Sequence, residues 1–344
     1  MDAKITKKRL EHLLSYDWVK ILITAVAFVM IWVLVFSLTA TKITSTERFV
    51  VHNYLGVQYG SKAKIYGDTA DYSYGILEAE VVDNMRGGES VFADLFDANM
   101  QLSEGDVLMV ADAPRSRTAK LDENGNELKD ENGATVYEYG ESYLHRLLYA
   151  YSGYITRLDD SEKGKGYFTQ MSEYLAKFYS MVDAPAAVGG TTITKATFNK
   201  DSLDESVVEA EFRARVKKNK DKRFKKEEQI VEGIKLEKAR IRSYLEAYET
   251  FFSYLENGYV EFTSVSVSIS ENYTLQGVYG INLCPSGSSA MKDLKDHIYY
   301  KDLDDVTTAD NLNALFMNFD KLDKDFQYEN LLYLNALIKD VAGL

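Results

Sequence analysis

Serine, cysteine, histidine and clustered acids build most active sites, and this chain arranges few of them usefully. Two Ser-x-x-Lys patterns occur, Ser61 to Lys64 and Ser289 to Lys292. Serine acylation on that pattern also needs Ser-Asp-Asn and Lys-Thr-Gly boxes downstream, and neither is present. A cysteine transpeptidase pairs its thiolate with an upstream histidine and an arginine shortly downstream. No arginine follows Arg242, so the single cysteine, Cys284, reads as a small buried thiol. Asp122-x-Asn124-x-Asn126 begins like a calcium loop, but Glu127 stands where glycine is needed and Gly133 where the bidentate glutamate is needed. The histidines at 12, 52, 145 and 297 are scattered, and no P-loop, GxGxxG, HExxH or CxxC is found. The expectation is a non-enzymatic chain with no catalytic, metal or cofactor site.

The strongest signal is physical rather than catalytic. Between Lys20 and Lys42 lie twenty-one uncharged residues. At 1.5 Å per residue a helix of that length is about 31 Å long, close to the bilayer hydrocarbon thickness of about 30 Å. A cleaved signal has a shorter apolar core and small residues at the cut, whereas Leu38-Thr39-Ala40 puts a bulky residue there. Lys4, Lys7, Lys8, Arg9 and Lys20 precede the run, so the positive-inside rule places the N-terminus in the cytoplasm. Trp18 fits an interfacial position. The organisation expected is a cytoplasmic basic segment (1–18), a transmembrane helix (19–41) and an extracytoplasmic domain (42–344) in the cell membrane.

Residues 1–20 hold five basic and three acidic side chains, so the rest of a chain of net charge −13 carries −15. An acidic outward domain excludes a nucleic-acid partner, whose backbone wants a basic face. One cysteine allows no internal disulfide, so packing alone must hold the domain. With three prolines in 344 residues an extended stalk is not expected.

Hydrophobic spacing supplies the elements. Residues 47–59 and 75–83 read as strands, and 89–102 as a helix through Val91, Leu95, Phe96 and Met100. EGDVLMVADAP (104–114) is apolar on both faces, as a parallel strand under helices must be. Asn-Gly pairs at 124–125 and 132–133 mark a β-hairpin excursion over 120–140. A helix within 141–160, stopped near Gly153, is predicted through Leu144, Leu147, Leu148 and Tyr151. Helices over about 203–218 and 224–256 flank KKNKDKRFKK (217–226), which holds seven basic residues in ten. Strands over 259–269 and 275–287 and closing helices, the last over 328–338, complete the reading: α/β with a helical hairpin in its second half.

Several segments, in order, resemble extracellular solute-binding proteins of carbohydrate ABC transporters. EGDVLMVADAP resembles a strand of that family, SGYITRLDD (152–160) its helix-to-turn piece with Arg157 in place of proline, VYGINLCP (278–285) its returning strand, and LLYLNALI its last helix. The resemblance implies a periplasmic-binding-protein-like (type II) α/β ectodomain with the helical hairpin (203–256) inserted. It also implies a sugar or oligosaccharide ligand and an ABC transporter permease as partner. Ligands of open α/β sheets lie beyond the carboxyl ends of strands, so the implied ligand-binding residues are Asn53, Tyr54, Asp112 and Ser286. The alternative reading is a non-catalytic envelope accessory or scaffold protein that docks a membrane partner through the hairpin.

Overall fold

The computed structural model describes residues 7–8, 11, 18–39, 48–63, 76, 78–102, 105–286, 288–318 and 328–344. They divide into two units, Met1–Thr44 and Ser45–Leu344. In the first, the uncharged run contains no glycine or proline and folds as helix α1 (Trp18–Thr39). Residues 18–37 are exposed on every side, with a mean hydropathy of 2.7. The Thr24 hydroxyl donates to the Lys20 carbonyl, 2.8 Å away, one turn back along the helix. By length and composition α1 can cross a membrane or serve as a signal sequence.

The second unit carries strands β1 (Arg48–Asn53), β2 (Gln58–Tyr59), β3 (Glu78–Val82), β4 (Val107–Ala111), β5 (Arg117–Ala119), β6 (Tyr137–Tyr139), β7 (Met181–Ala187), β8 (Thr194–Phe198), β9 (Glu261–Ser270), β10 (Tyr273–Asn282), β11 (Ile298–Lys301), β12 (Thr307–Thr308) and β13 (Leu312–Phe316). Its helices are α2 (Glu89–Gln101), α3 (Tyr143–Tyr151), α4 (Tyr167–Leu175), α5 (Glu205–Asn219), α6 (Glu227–Glu256) and α7 (Glu329–Ala342).

Six strands form one mixed sheet in the order β3-β1-β4-β13-β10-β9. β3, β1 and β4 are parallel, while β13 runs antiparallel to both β4 and β10, and β9 antiparallel to β10. Side chains of β4 alternate between two cores. Val107, Met109 and Ala111 join α4, α6 and α7 on one face, and Leu108 and Val110 join α2 and α3 on the other. The result is helix, sheet, helix in three layers, with β4 and β13 wholly buried between them. Among the described residues every buried one lies within 49–341, so the core of this unit is built from its own side chains.

Three expectations change. β4 is parallel to β1 but antiparallel to β13, so the apolar run crosses a mixed sheet rather than a parallel one. On α2 the buried stripe is Phe92, Phe96 and Met100, while Val91 and Leu95 are 38% and 41% exposed. Beyond residue 287, where closing helices are expected, the chain forms β11, β12 and β13 before its last helix; helix α4 and the strands β7 and β8 carry no clear sequence signal. The 120–140 excursion forms as read. Gly125 and Gly133 both take φ +82°, and Asp122 and Asp130 each accept two backbone N–H bonds across their turns.

The helical pair lies within two residues of its expected bounds at each end except the start of α6, which begins at Glu227. Asp204 caps α5, its carboxylate accepting from the N–H of Ser206 (3.0 Å) and of Val207 (3.2 Å). Lys220, at φ +50°, ends it. Gln229 then accepts from the N–H groups of Lys225 and Lys226, both at 3.0 Å, and starts α6.

Candidate functional site

Because β13 is antiparallel to both β4 and β10, strands β1, β4 and β10 all point the same way. Asn53, Tyr54, Asp112 and the turn containing Ser286 therefore share one edge of the sheet. Their side chains do different things there. Asn53 is fully buried: its amide donates to the Val57 carbonyl (2.5 Å) and to Asp83 (2.9 Å), and its oxygen accepts from the Asn84 N–H (2.7 Å). It ties two turns together. The buried ring of Tyr54 meets Phe92 and Phe96 edge-on, each at 5.4 Å, and burial raises the pKa of its phenol. Asp112 is half-buried, its N–H donating to the Asn311 carbonyl at 2.9 Å, and Ser286 is exposed. Of the four residues, Asp112 and Ser286 are the two whose side chains solvent reaches.

The remaining reactive residues lie apart. Cys284 is 3% exposed, and its sulfur is 3.6 Å from the Met291 carbonyl. Burial, helped by the charge of Asp310, pushes its pKa up to about 11, so it stays a thiol at neutral pH. His52 contacts Asn84 at 3.4 Å, while His297 lies 3.9 Å from Asp340. Among the described residues no group of three or more His, Cys, Asp or Glu could hold a metal ion. Ser61, Ser289 and Lys292 are exposed, and Lys64 lies outside the described residues.

A groove of about 560 Å³ opens elsewhere, lined by Arg157, the 161–165 turn, the first four residues of β10 and Tyr279. Asp159, behind the lining residues, holds Arg157 in place. One carboxylate oxygen accepts from Arg157 Nε (2.7 Å) and the Val278 N–H (2.9 Å), and the other from the Arg157 guanidinium (2.9 Å). This pins the segment after α3 to β10 and aims a charged, bidentate-held guanidinium at the groove. Gly277 is required by the same arrangement: at φ +152°, a Cβ there would sit 2.5 Å from the Arg157 guanidinium carbon. Ser161 and Gly164 close the adjoining turn with reciprocal backbone bonds of 2.9 and 3.1 Å, which presents Lys163 and Lys165. The Lys163 ammonium lies 4.8 Å over the ring of Tyr273, which is 42% exposed. In the sequence Arg157 stands out only as the residue in place of a proline, and nothing there links it to Tyr273. The two are more than a hundred residues apart, and no local pattern joins them.

No protein-family model matches the chain, and neither a curated protein nor a solved structure does. The fold defines a mixed α/β protein with one six-stranded mixed sheet and an N-terminal apolar helix.

Proposed function

We propose that this chain is a membrane-tethered, non-catalytic extracytoplasmic binding protein that takes a hydroxyl-rich solute, a sugar or oligosaccharide, and serves the permease of an ABC-type importer. The groove carries the reading. An exposed tyrosine ring offers a face for a sugar ring, while Arg157, Lys163, Thr274 and Gln276 offer donors and acceptors around it. Its volume suits a ligand of one to three rings. The sheet supports the finer assignment to a type II periplasmic-binding-like fold. The first three long strands stand in the order second, first, third and are parallel, as in doubly wound sheets, and late strands return into the same sheet. On this reading α5 and α6 are the inserted hairpin. The basic leader and α1 support a single-pass anchor with the N-terminus in the cytoplasm.

Residues 45–344, titrated calorimetrically against neutral and acidic oligosaccharides, should give saturable heat that Tyr273→Ala abolishes. A flat response to the whole panel overturns the solute reading. The full chain should need detergent to leave the membrane fraction, and its recovery as a soluble species overturns the tether.

A further inference from the structure

We propose that the tip of the α5–α6 hairpin is a docking site for an anionic phospholipid surface. Seven of the ten residues from Lys217 to Lys226 are basic, and all seven are exposed. The one acid among them, Asp221, is taken by Arg223, with N–H···O distances of 2.7 to 3.2 Å. No carboxylate lies within ion-pair distance of Lys217, Lys218, Lys220, Lys222, Lys225 or Lys226 among the described residues.

Solvation of a helix turn does not account for this pattern. Lys217 and Lys218 complement the negative end of α5. Lys225 and Lys226 stand at the N-terminus of α6, where cations oppose the helix dipole, so local helix energetics selects against them. Nor is the tip a floppy polar run. Phe224 packs edge-on to the buried Phe212 at 5.1 Å, and the tight approach of both rings to Gly233 leaves no room for a side chain on α6. The lysines thus project from a turn fixed by its own aromatic lock, at the end of a hairpin whose long helix measures about 45 Å.

Charge selects the occupant. The chain carries −13 overall, yet at physiological ionic strength fields fade over about 8 Å, so the tip presents its own cations and not the acidic average. A planar array of phosphodiester headgroups matches clustered lysines without needing a shaped pocket. The inference rests on the tether reading, under which the same chain is anchored among the headgroups its basic tip would meet.

The core of residues 45–344 is built from its own side chains, so that unit alone can be tested by co-sedimentation with vesicles. It should bind phosphatidylcholine vesicles doped with phosphatidylglycerol, ignore pure phosphatidylcholine, and release as salt rises. Substituting Lys218, Lys222, Lys225 and Lys226 together by glutamine should weaken binding at least about a hundredfold, with an unchanged thermal melt. Equal binding to both vesicles, or no loss in the folded quadruple variant, overturns the proposal. Binding to a soluble polyphosphate but not to doped vesicles overturns the lipid assignment. A unit that binds sugar but no vesicle removes this inference and leaves the solute reading standing. Recovery of the full chain without detergent removes the tether whatever the vesicles show.

Discussion

Glu237 and Arg240, one turn apart on α6, are both withdrawn from solvent, and their ion pair is shared across the hairpin by Arg215 of α5, whose guanidinium reaches Glu237 at 2.6 Å. Arg240 also donates to the Tyr244 hydroxyl at 3.2 Å, and Tyr244 in turn donates to Glu329 of α7. A buried polar chain therefore runs from the hairpin into the core. Breaking a buried pair from one side costs more than the pair is worth, because a desolvated charge stays behind. Glu237→Ala, which removes the carboxylate that Arg215 and Arg240 share, should lower stability by about 3–5 kcal/mol in urea unfolding.

The same carboxylate sets a pH dependence. Burial alone would raise the Glu237 pKa, but Arg240 and Arg215 outweigh it and hold the group below its ordinary value of 4.5. The unfolded chain then takes up the proton first as pH falls. Its contribution is fully present above about pH 4.5 and is lost as pH drops toward the depressed folded value. Between pH 5 and pH 3, wild-type stability should fall more steeply than that of Glu237→Gln, as read from urea midpoints.

Gly233 opposes two effects of known size. Alanine is the better helix former by about 1 kcal/mol. A Cβ at this position, however, would lie 2.6 Å from Phe224 Cε1 and closer still to Phe212 Cζ. Phe212 is 1% exposed and has nowhere to move. Overpacking of this kind costs about 1–3 kcal/mol, so Gly233→Ala should be net destabilising, with a lower urea midpoint at an unchanged slope.

Cys284 should be inert in the folded protein. With a pKa near 11, about one molecule in ten thousand is thiolate at pH 7, against about one in a hundred for an ordinary thiol of pKa 9.0. Disulfide-reagent labelling should be slow in native buffer, rise about tenfold per pH unit, and become immediate in guanidinium. Fast labelling at pH 7 in the folded state would contradict its burial.

What the sequence disclosed divides along physical lines. The α5–α6 pair was readable because Ile230, Ile234, Ile241, Leu245, Tyr248, Phe252 and Leu255 repeat over a long helix; five are buried, and Ile230 and Leu255 are half-buried. β4 was readable because an apolar run this short has to lie between two covered faces. α4 was not, since nine residues give little periodicity and Gly166 at its start offers no capping side chain. β13 hid because a buried polar residue, Asn313, interrupts it, so it shows neither alternation nor a continuous apolar run. At the site, topology was legible and side-chain fate was not. The strand ends do meet at one edge, but Asn53 and Tyr54 find partners within the domain, and partners distant in sequence cannot be seen in it. The groove is assembled the same way, from residue 157 and residue 273.

Gly277 gives the sharpest test of that assembly. Its φ of +152° and the nearby β-bulge between Val278 and Gly280 leave the Arg157 guanidinium where a Cβ would be. Gly277→Ala should therefore lose stability for two reasons, backbone strain and eviction of Arg157 from Asp159. The strain is the same whatever residue 159 is, whereas the eviction matters only while Asp159 holds the guanidinium through its two bonds. In an Asp159→Asn background the arginine can swing away, so the Gly277→Ala penalty should shrink by at least about 0.5 kcal/mol. A double-mutant cycle by urea unfolding measures that difference. Strict additivity would mean that the side chain of Arg157 does not occupy the space above Gly277, and the groove would lose its central cation.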